Sequence, residues 1–168
     1  TIPESVTEIG NYAFYECRSL GRITLPESVA SIGNYAFSNC YCLTSITIPQ
    51  SVTSIGNSAF RECNSLGSIT LPESVTEIGD YVFSGCISLK NITIPESVTS
   101  IGEGAFRSCS RLESVYCKPS TPPTGDDTRM FYDNASGRKI YVPNASVNEY
   151  KSAKYWSEYS ADIVGYDF

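Results

Sequence analysis

Residues 48–70 read IPQSVTSIGNSAFRECNSLGSIT, and residues 94–116 read IPESVTSIGEGAFRSCSRLESVY. The same step of 23 residues carries Phe14 to Phe37, Phe60, Phe83 and Phe106, and Leu20 to Leu43, Leu66, Leu89 and Leu112. Five such units run from Ile2 to Tyr116. A fixed period between about 20 and 50 residues marks a solenoid, because one coil cannot bury its own apolar face and must stack on the next. At the ~4.8 Å spacing of paired strands, five coils would stack to roughly 24 Å.

Each coil has readable parts. Ile23-Thr24-Leu25 alternates apolar and polar as a half-buried strand does, and Pro26 ends it. Val6-Thr7-Glu8-Ile9 is a second extended stretch closed by Gly10, and a glycine at this place in all five coils predicts a positive φ or a close backbone approach. Ala13, Phe14, Cys17 and Leu20 fall at helical spacing, which predicts a short helical or 3₁₀ turn over residues 11–20. The expected fold class is an α/β solenoid, a right-handed coil stack with parallel strands and short helical turns, followed by a small α+β cap.

One strand and one helical turn per coil is the leucine-rich repeat plan. The pattern L-x-x-I-T-[IL]-P-x-S-V-x-x-I-G-x-x-A-F-x-x-C resembles the BspA-like leucine-rich repeat, a class of 23-residue units in bacterial and protist surface proteins. The resemblance covers residues 2–116. It implies a secreted or cell-surface protein, without enzymatic activity, that adheres to an extracellular protein or glycan of a host or neighbouring cell. The family brings no catalytic residues to this chain, and its motif positions are structural. Because the chain begins inside a coil, a signal or anchor segment and further repeats are expected to have been removed upstream.

The period breaks after Val115, where Cys117 takes the place of Ile94 and Lys118 that of Pro95. The expected division is therefore five repeats over residues 1–116 and a capping subdomain over residues 117–168. Residues 118–128 are rich in proline and turn formers and read as an irregular connection. Met130 and Phe131 fill the role of the Ala-Phe pair, and Lys139–Pro143 reads as a strand. Val147, Tyr150, Tyr155, Trp156 and Tyr159 lie near a 3.6-residue period, predicting a helix over residues 146–159 capped by Asn144 or Ser146. Ile163-Val164-Gly165-Tyr166 reads as a last strand. The stretch 139–168 resembles the segment that follows such repeats in proteins of gut Bacteroides-type bacteria. A cap is expected on physical grounds too, since an open solenoid end exposes backbone edges and apolar side chains.

Composition excludes several function classes. The 168 residues carry a formal net charge of −6, which argues against a nucleic-acid partner, whose phosphates need a basic footprint. There is no histidine, so the usual general base and the commonest nitrogen ligand for zinc are missing. No apolar run approaches the ~20 residues that span a bilayer. No catalytic, cofactor-binding or metal-binding set is expected, and the oligomeric state is not encoded in any pattern.

Of the 7 cysteines, Cys17, Cys40, Cys63, Cys86 and Cys109 are one repeat position counted five times. Equivalent side chains on stacked coils run parallel, whereas zinc needs four converging ligands and a disulfide a particular Cβ geometry. They read as a structural ladder of buried, reduced thiols. Asp126, Asp127 and Asp133 lack a calcium-binding spacing and read as a solvated loop. Glu4, Glu27, Glu73 and Glu96 form an exposed row with nothing apolar nearby to raise a pKa.

The candidate binding surface is the outward side of the first strand of each coil. Thr24, Thr47, Thr70 and Thr93 make one row, continued by Tyr116, and Arg22, Ser45, Ser68, Asn91 and Ser114 run beside it. Stacked parallel strands would give one continuous face for a large partner, although β-propensity alone also selects a threonine row in a parallel sheet. A second set, Tyr12, Tyr35 and Tyr81 with Tyr15 and Tyr41, lies on the helical side, where it suits either protein or sugar contact or packing between adjacent coils. Adhesion is one expected role. The other is a structural spacer or assembly module of a larger envelope protein, for which near-identical coils are sufficient.

Overall fold

The computed structural model describes residues 2–168. Its strands in chain order are β1 (Glu8–Ile9), β2 (Arg22–Thr24), β3 (Ser31–Ile32), β4 (Ser45–Thr47), β5 (Ser54–Ile55), β6 (Glu77–Ile78), β7 (Asn91–Ile94), β8 (Ser100–Ile101), β9 (Ser114–Cys117), β10 (Thr124–Gly125), β11 (Lys139–Pro143) and β12 (Ile163–Tyr166). A short helix, α1 (Val147–Ser152), lies between the last two. The short strands form a 6-stranded sheet in the order β1-β3-β5-β6-β8-β10. The longer ones form a pair, β2-β4, and a 4-stranded sheet, β12-β11-β9-β7. The ladders are parallel, and within the repeats the pairing joins residues 23 apart, as Ile9 with Ile32 and Ile92 with Val115. This is the leucine-rich repeat coil stack that the period predicts.

The core is built from columns of identical residues. Phe14, Phe37, Phe60, Phe83 and Phe106 stack with ring centroids 5.1–5.6 Å apart and planes within 12°. Isolated aromatic pairs favour offset or edge-on arrangements, so the near-parallel column is imposed by the backbone spacing of the coils. Leu43, Leu66, Leu89 and Leu112 are fully buried beside it. A serine column also acts between coils: the hydroxyls of Ser28, Ser51, Ser74 and Ser97 each donate to the carbonyl of the valine 22 residues earlier.

The glycine row is required by close approach. A Cβ on Gly33 would stand 2.6 Å from both the backbone N and the Oδ1 of Asn11, and Gly56 meets Asn34 in the same way. These asparagines form a ladder in which Asn11 Oδ1 accepts from Asn34 N (2.7 Å) and Asn34 Oδ1 from Asn57 N (2.8 Å). Asp80 continues it by accepting from Glu103 N at 2.9 Å.

Residues 11–20 and their equivalents are not helical. Phe14 N donates to Ala36 O of the next coil while Tyr15 N donates to Tyr12 O of its own, and this alternation repeats through the stack. A helix would direct every donor along its own axis. Here alternate donors are claimed by the neighbouring coil, leaving a run of turns with left-handed residues at Tyr12 (φ 58°) and Glu16 (φ 56°).

The ladders do not stop where the sequence period does. β9 pairs with β11 (Val115 with Ile140) and β11 with β12 (Ile140 with Ile163), while β10 pairs with β8. Phe131 stacks on Phe106 at 5.4 Å, and Met130 O accepts from Phe106 N as Ala36 O does from Phe14 N. Met130 and Phe131 thus hold the Ala-Phe places. The expected long helix is only α1 followed, after Tyr155 (φ 69°), by a 3₁₀ turn at Trp156–Tyr159. Ser146 does not cap α1: its hydroxyl donates to Ser120 O, and Asn144 bonds Asp167. Both potential caps are taken by tertiary partners. Arg138, almost wholly buried, ties this segment together, reaching Phe131 O at 2.8 Å and the Asp162 carboxylate.

Candidate functional site

The outward rows of the long strands stand in register. Arg22 lies opposite Ser45 and Thr24 opposite Thr47; further along, Asn91 lies opposite Ser114 and Thr93 opposite Tyr116. Arg22, Thr24, Ser45, Thr47, Ser68, Thr70 and Asn91 are exposed, while Thr93, Ser114 and Tyr116 are half-buried. Between them Ile46, Ile69, Ile92 and Val115 point into the core, as strand alternation requires.

The face is not the unbroken sheet that the sequence suggests. Ser68-Ile69-Thr70 keeps the exposed-buried-exposed alternation, but no ladder joins it to β4 or β7. Gly67 stands at the gap, in the repeat position that Thr44 holds one coil earlier. In the coil before it, Thr44 anchors the same approach by donating from both N and Oγ1 to Gly21 O, each at 3.0 Å. Glycine offers no hydroxyl for this and weakens an extended strand.

Beyond Tyr116 the rows change chemistry. Tyr141, on β11 directly opposite Tyr116 of β9, stacks on it at 4.9 Å and 14°. Tyr166 packs edge-on against both at 5.5 Å, and Phe168 against Tyr166 at 5.1 Å. Tyr166 and Phe168 are exposed. Lys118, Asn144 and Asp167 border the same end, around a depression of about 650 Å³. Of this cluster the repeat pattern marks only Tyr116. The parity of Lys139-Ile140-Tyr141 against Ser114-Val115-Tyr116 is the signal that could have found Tyr141; nothing local points to Tyr166 or Phe168.

On the turn side, Tyr12 stacks on Tyr35 at 5.0 Å and meets Tyr15 edge-on, and the Arg18 guanidinium lies over Tyr41. Tyr81 stands apart from these, bonded to Glu103, which also pairs with Arg129 at 2.7 Å.

The thiol ladder is chemically quiet. Cys40, Cys63, Cys86 and Cys109 are fully buried, and each donates to a phenylalanine carbonyl of the preceding coil at 3.1–3.2 Å. Burial holds Cys40 up at about 11 and Cys109 at about 12, and pushes Cys63 and Cys86 well above the ordinary thiol range. Cys117, beside the Tyr150 hydroxyl, is raised to about 12 by burial. Cys17 departs from the expectation: it is exposed, because no coil among the described residues covers it. Among the described residues no cluster of three or more metal-ligating side chains occurs. Asp127 pairs with Arg129, and Asp133 accepts from Ser108. No helix among the described residues is long and apolar enough to cross a membrane.

Comparison with known proteins matches this geometry. The chain is similar to a leucine rich repeat protein of T. pallidum, 32% identical over 96% of this chain and 79% of that one, with a TM-score of 0.67. A leucine-rich repeat protein of Bacteroides ovatus is 33% identical over 86% of this chain and 43% of its own length, at 0.60. A leucine rich cell surface protein of Faecalibacterium prausnitzii is 26% identical over all of this chain and 57% of its own, at 0.52. The chain thus spans less than two thirds of the latter two proteins. No curated protein sequence matches it. The model of the BspA type leucine rich repeat region matches in 6 copies, over residues 1–113 and 31–159, running past the end of the regular period. With its ladders continuing over the same residues, the chain belongs to the BspA type leucine rich repeat family.

Proposed function

We propose that this chain is the binding part of a cell-surface or secreted adhesin, and that its outward strand rows engage an extracellular protein. Leucine-rich repeats are protein-binding modules, and their solenoids are typically non-enzymatic. The observation that carries the reading is the pair of outward rows, in register between Arg22 and Ser45, Thr24 and Thr47, Asn91 and Ser114, and Thr93 and Tyr116, with Ser68 and Thr70 exposed at the equivalent repeat positions between them. Short hydroxyl and amide side chains there offer many hydrogen bonds at small entropic cost to order. The net charge of −6 favours a partner that is not itself strongly acidic. The F. prausnitzii relative is a cell surface protein, which supports the compartment. Residues 117–168 serve in this reading as the cap that closes the stack.

The test is binding of the chain to immobilised extracellular-matrix proteins, with Thr47→Lys and Thr70→Lys as face variants. Saturable binding lost in both variants is expected; binding to none of the panel, or binding indifferent to both, refutes the reading. The spacer role has one observation in its favour, the near-identity of the coils, since a specific site usually breaks a repeat locally. Deleting two coils in register separates the roles: a spacer tolerates it, whereas a binding face loses affinity.

A further inference from the structure

The outward rows of the repeats carry mostly small polar residues, yet β9, β11, β12 and the residues that follow β12 bring together four aromatic rings. We infer that this end of the sheet, formed by β9, β11 and β12, is a binding site for a neutral pyranose glycan. The inference is independent of the protein-binding reading of the central rows.

Three features point to a sugar. Tyr166 and Phe168 are 42% and 52% exposed, although large aromatic side chains are usually well covered. Tyr166 is held in place edge-on by Tyr116 and Tyr141, so it meets a ligand already ordered. The adjoining depression, about 650 Å³, lies within the range that holds small ligands. A pyranose has an apolar C–H face to lie on such rings and a rim of hydroxyls that both donate and accept.

The polar rim of the depression matches those hydroxyls. Asn144 and Asp167 bond one another, which fixes both side chains before any ligand arrives. Gly165 makes that arrangement possible, since a Cβ there would collide with Asn144 Oδ1. Lys118, with its donors, and Glu96, with its acceptors, also line the depression. A purely apolar partner would bury these groups without hydrogen bonds, at a large desolvation cost. Charge selects among sugars. Lys118 is paired with Glu73 at 3.2 Å, leaving Glu96 and Asp167 to set a negative potential. Sialylated, sulfated and uronic glycans are therefore disfavoured against neutral ones.

The experiment titrates the chain with maltotetraose, cellotetraose, mannotriose and triacetylchitotriose, followed by ligand-detected NMR and calorimetry. Sialyllactose serves as the anionic comparison. Saturable binding of at least one neutral oligosaccharide at millimolar affinity or tighter is expected. Tyr166→Ala and Asp167→Ala should each weaken it about tenfold or more, with Thr47→Lys without effect. Asp167→Ala leaves the aromatic cluster intact, so it remains informative if Tyr166→Ala disturbs the fold. No binding of any neutral probe up to about 10 mM overturns the inference. So does binding that survives both variants, or tighter binding of the sialylated probe. Loss of a matrix-protein ligand in Tyr166→Ala, with no sugar bound, also overturns it and reassigns the patch to protein.

Discussion

Phe60 and Phe131 occupy the same column of rings but have different neighbours. Phe60 lies between its own copies, Phe37 and Phe83, at 5.3 and 5.6 Å and within 5° of parallel. Phe131 has Phe106 on one side, and on the other Tyr159 edge-on at 5.4 Å and Trp156 tilted at 57°. An interior coil needs only residues compatible with copies of themselves. The last coil must cover a flat apolar surface with rings turned across it and pair the polar groups that come along. Trp156 Nε1 donates to Pro123 O and the Tyr150 hydroxyl to Pro119 O, while Arg138 lies over Phe131 and Tyr159. Repetition is thus one solution to stacking, and an aperiodic aromatic cluster is another on the same backbone ladder.

Alkali is expected to give the largest effect, and it tests whether the two regions unfold together. The buried thiols of both keep their protons in the folded chain, Cys40 to about pH 11 and Cys109 and Cys117 to about pH 12, whereas an unfolded thiol ionises near ~8.5. Folded pKa values lie above unfolded ones, so the unfolded chain is the one that loses protons first. Their contribution to stability is complete below about pH 8.5 and falls as pH rises toward about 11–12. Urea midpoints measured from about pH 7 to 11 should decline over the upper part of that range; a flat profile contradicts buried thiols. The fluorescence of Trp156, the chain's one tryptophan, should move with the circular dichroism of the stack. Separate transitions would make the C-terminal segment an independent unit.

Trp156→Ala should follow, costing about 3–5 kcal/mol from lost burial and the cavity together, and stranding the Pro123 carbonyl. A loss below about 1 kcal/mol by urea denaturation would mean that Phe131 needs no cover. Within the repeats, Gly56→Ala forces a Cβ against Asn34 and should cost about 1–3 kcal/mol. Gly10→Ala, at the same repeat position but with nothing within 4 Å, should stay within about 0.5 kcal/mol. Equal costs would show that glycine is needed for conformation instead of contact. Native-state alkylation has the smallest energetic consequence: Cys17 and Cys42, both exposed, should label, and the five buried thiols should label only on unfolding.

The coil is legible because its information is repeated. The Pro, Gly, Phe, Cys and Leu columns can be read from spacing alone, and Met130-Phe131 in the Ala-Phe places and the strands at 139–143 and 163–166 from residue type and alternation. The turns at residues 11–20 look helical in the sequence for a physical reason: apolar spacing reports which side chains face inward and not where the backbone donors go. The same limit shortens the helix after residue 146, where Ser146 and Asn144 serve Ser120 and Asp167 in place of capping. Tyr116, Tyr141 and Tyr166 are legible as strand residues, but not as a cluster.

Sequence by itself determined the solenoid, because residues 23 apart must become neighbours once identical coils stack, and each column then meets only its own kind. Tertiary structure alone decided the break at Ser68-Ile69-Thr70, the ladder's passage into β11 and β12, and the meeting of Tyr116, Tyr141, Tyr166 and Phe168. The last two depend on the register between segments that do not repeat, and the break on a hydrogen-bond ladder that fails within the repeats. Such register is fixed by long-range pairing and burial, which no local period encodes.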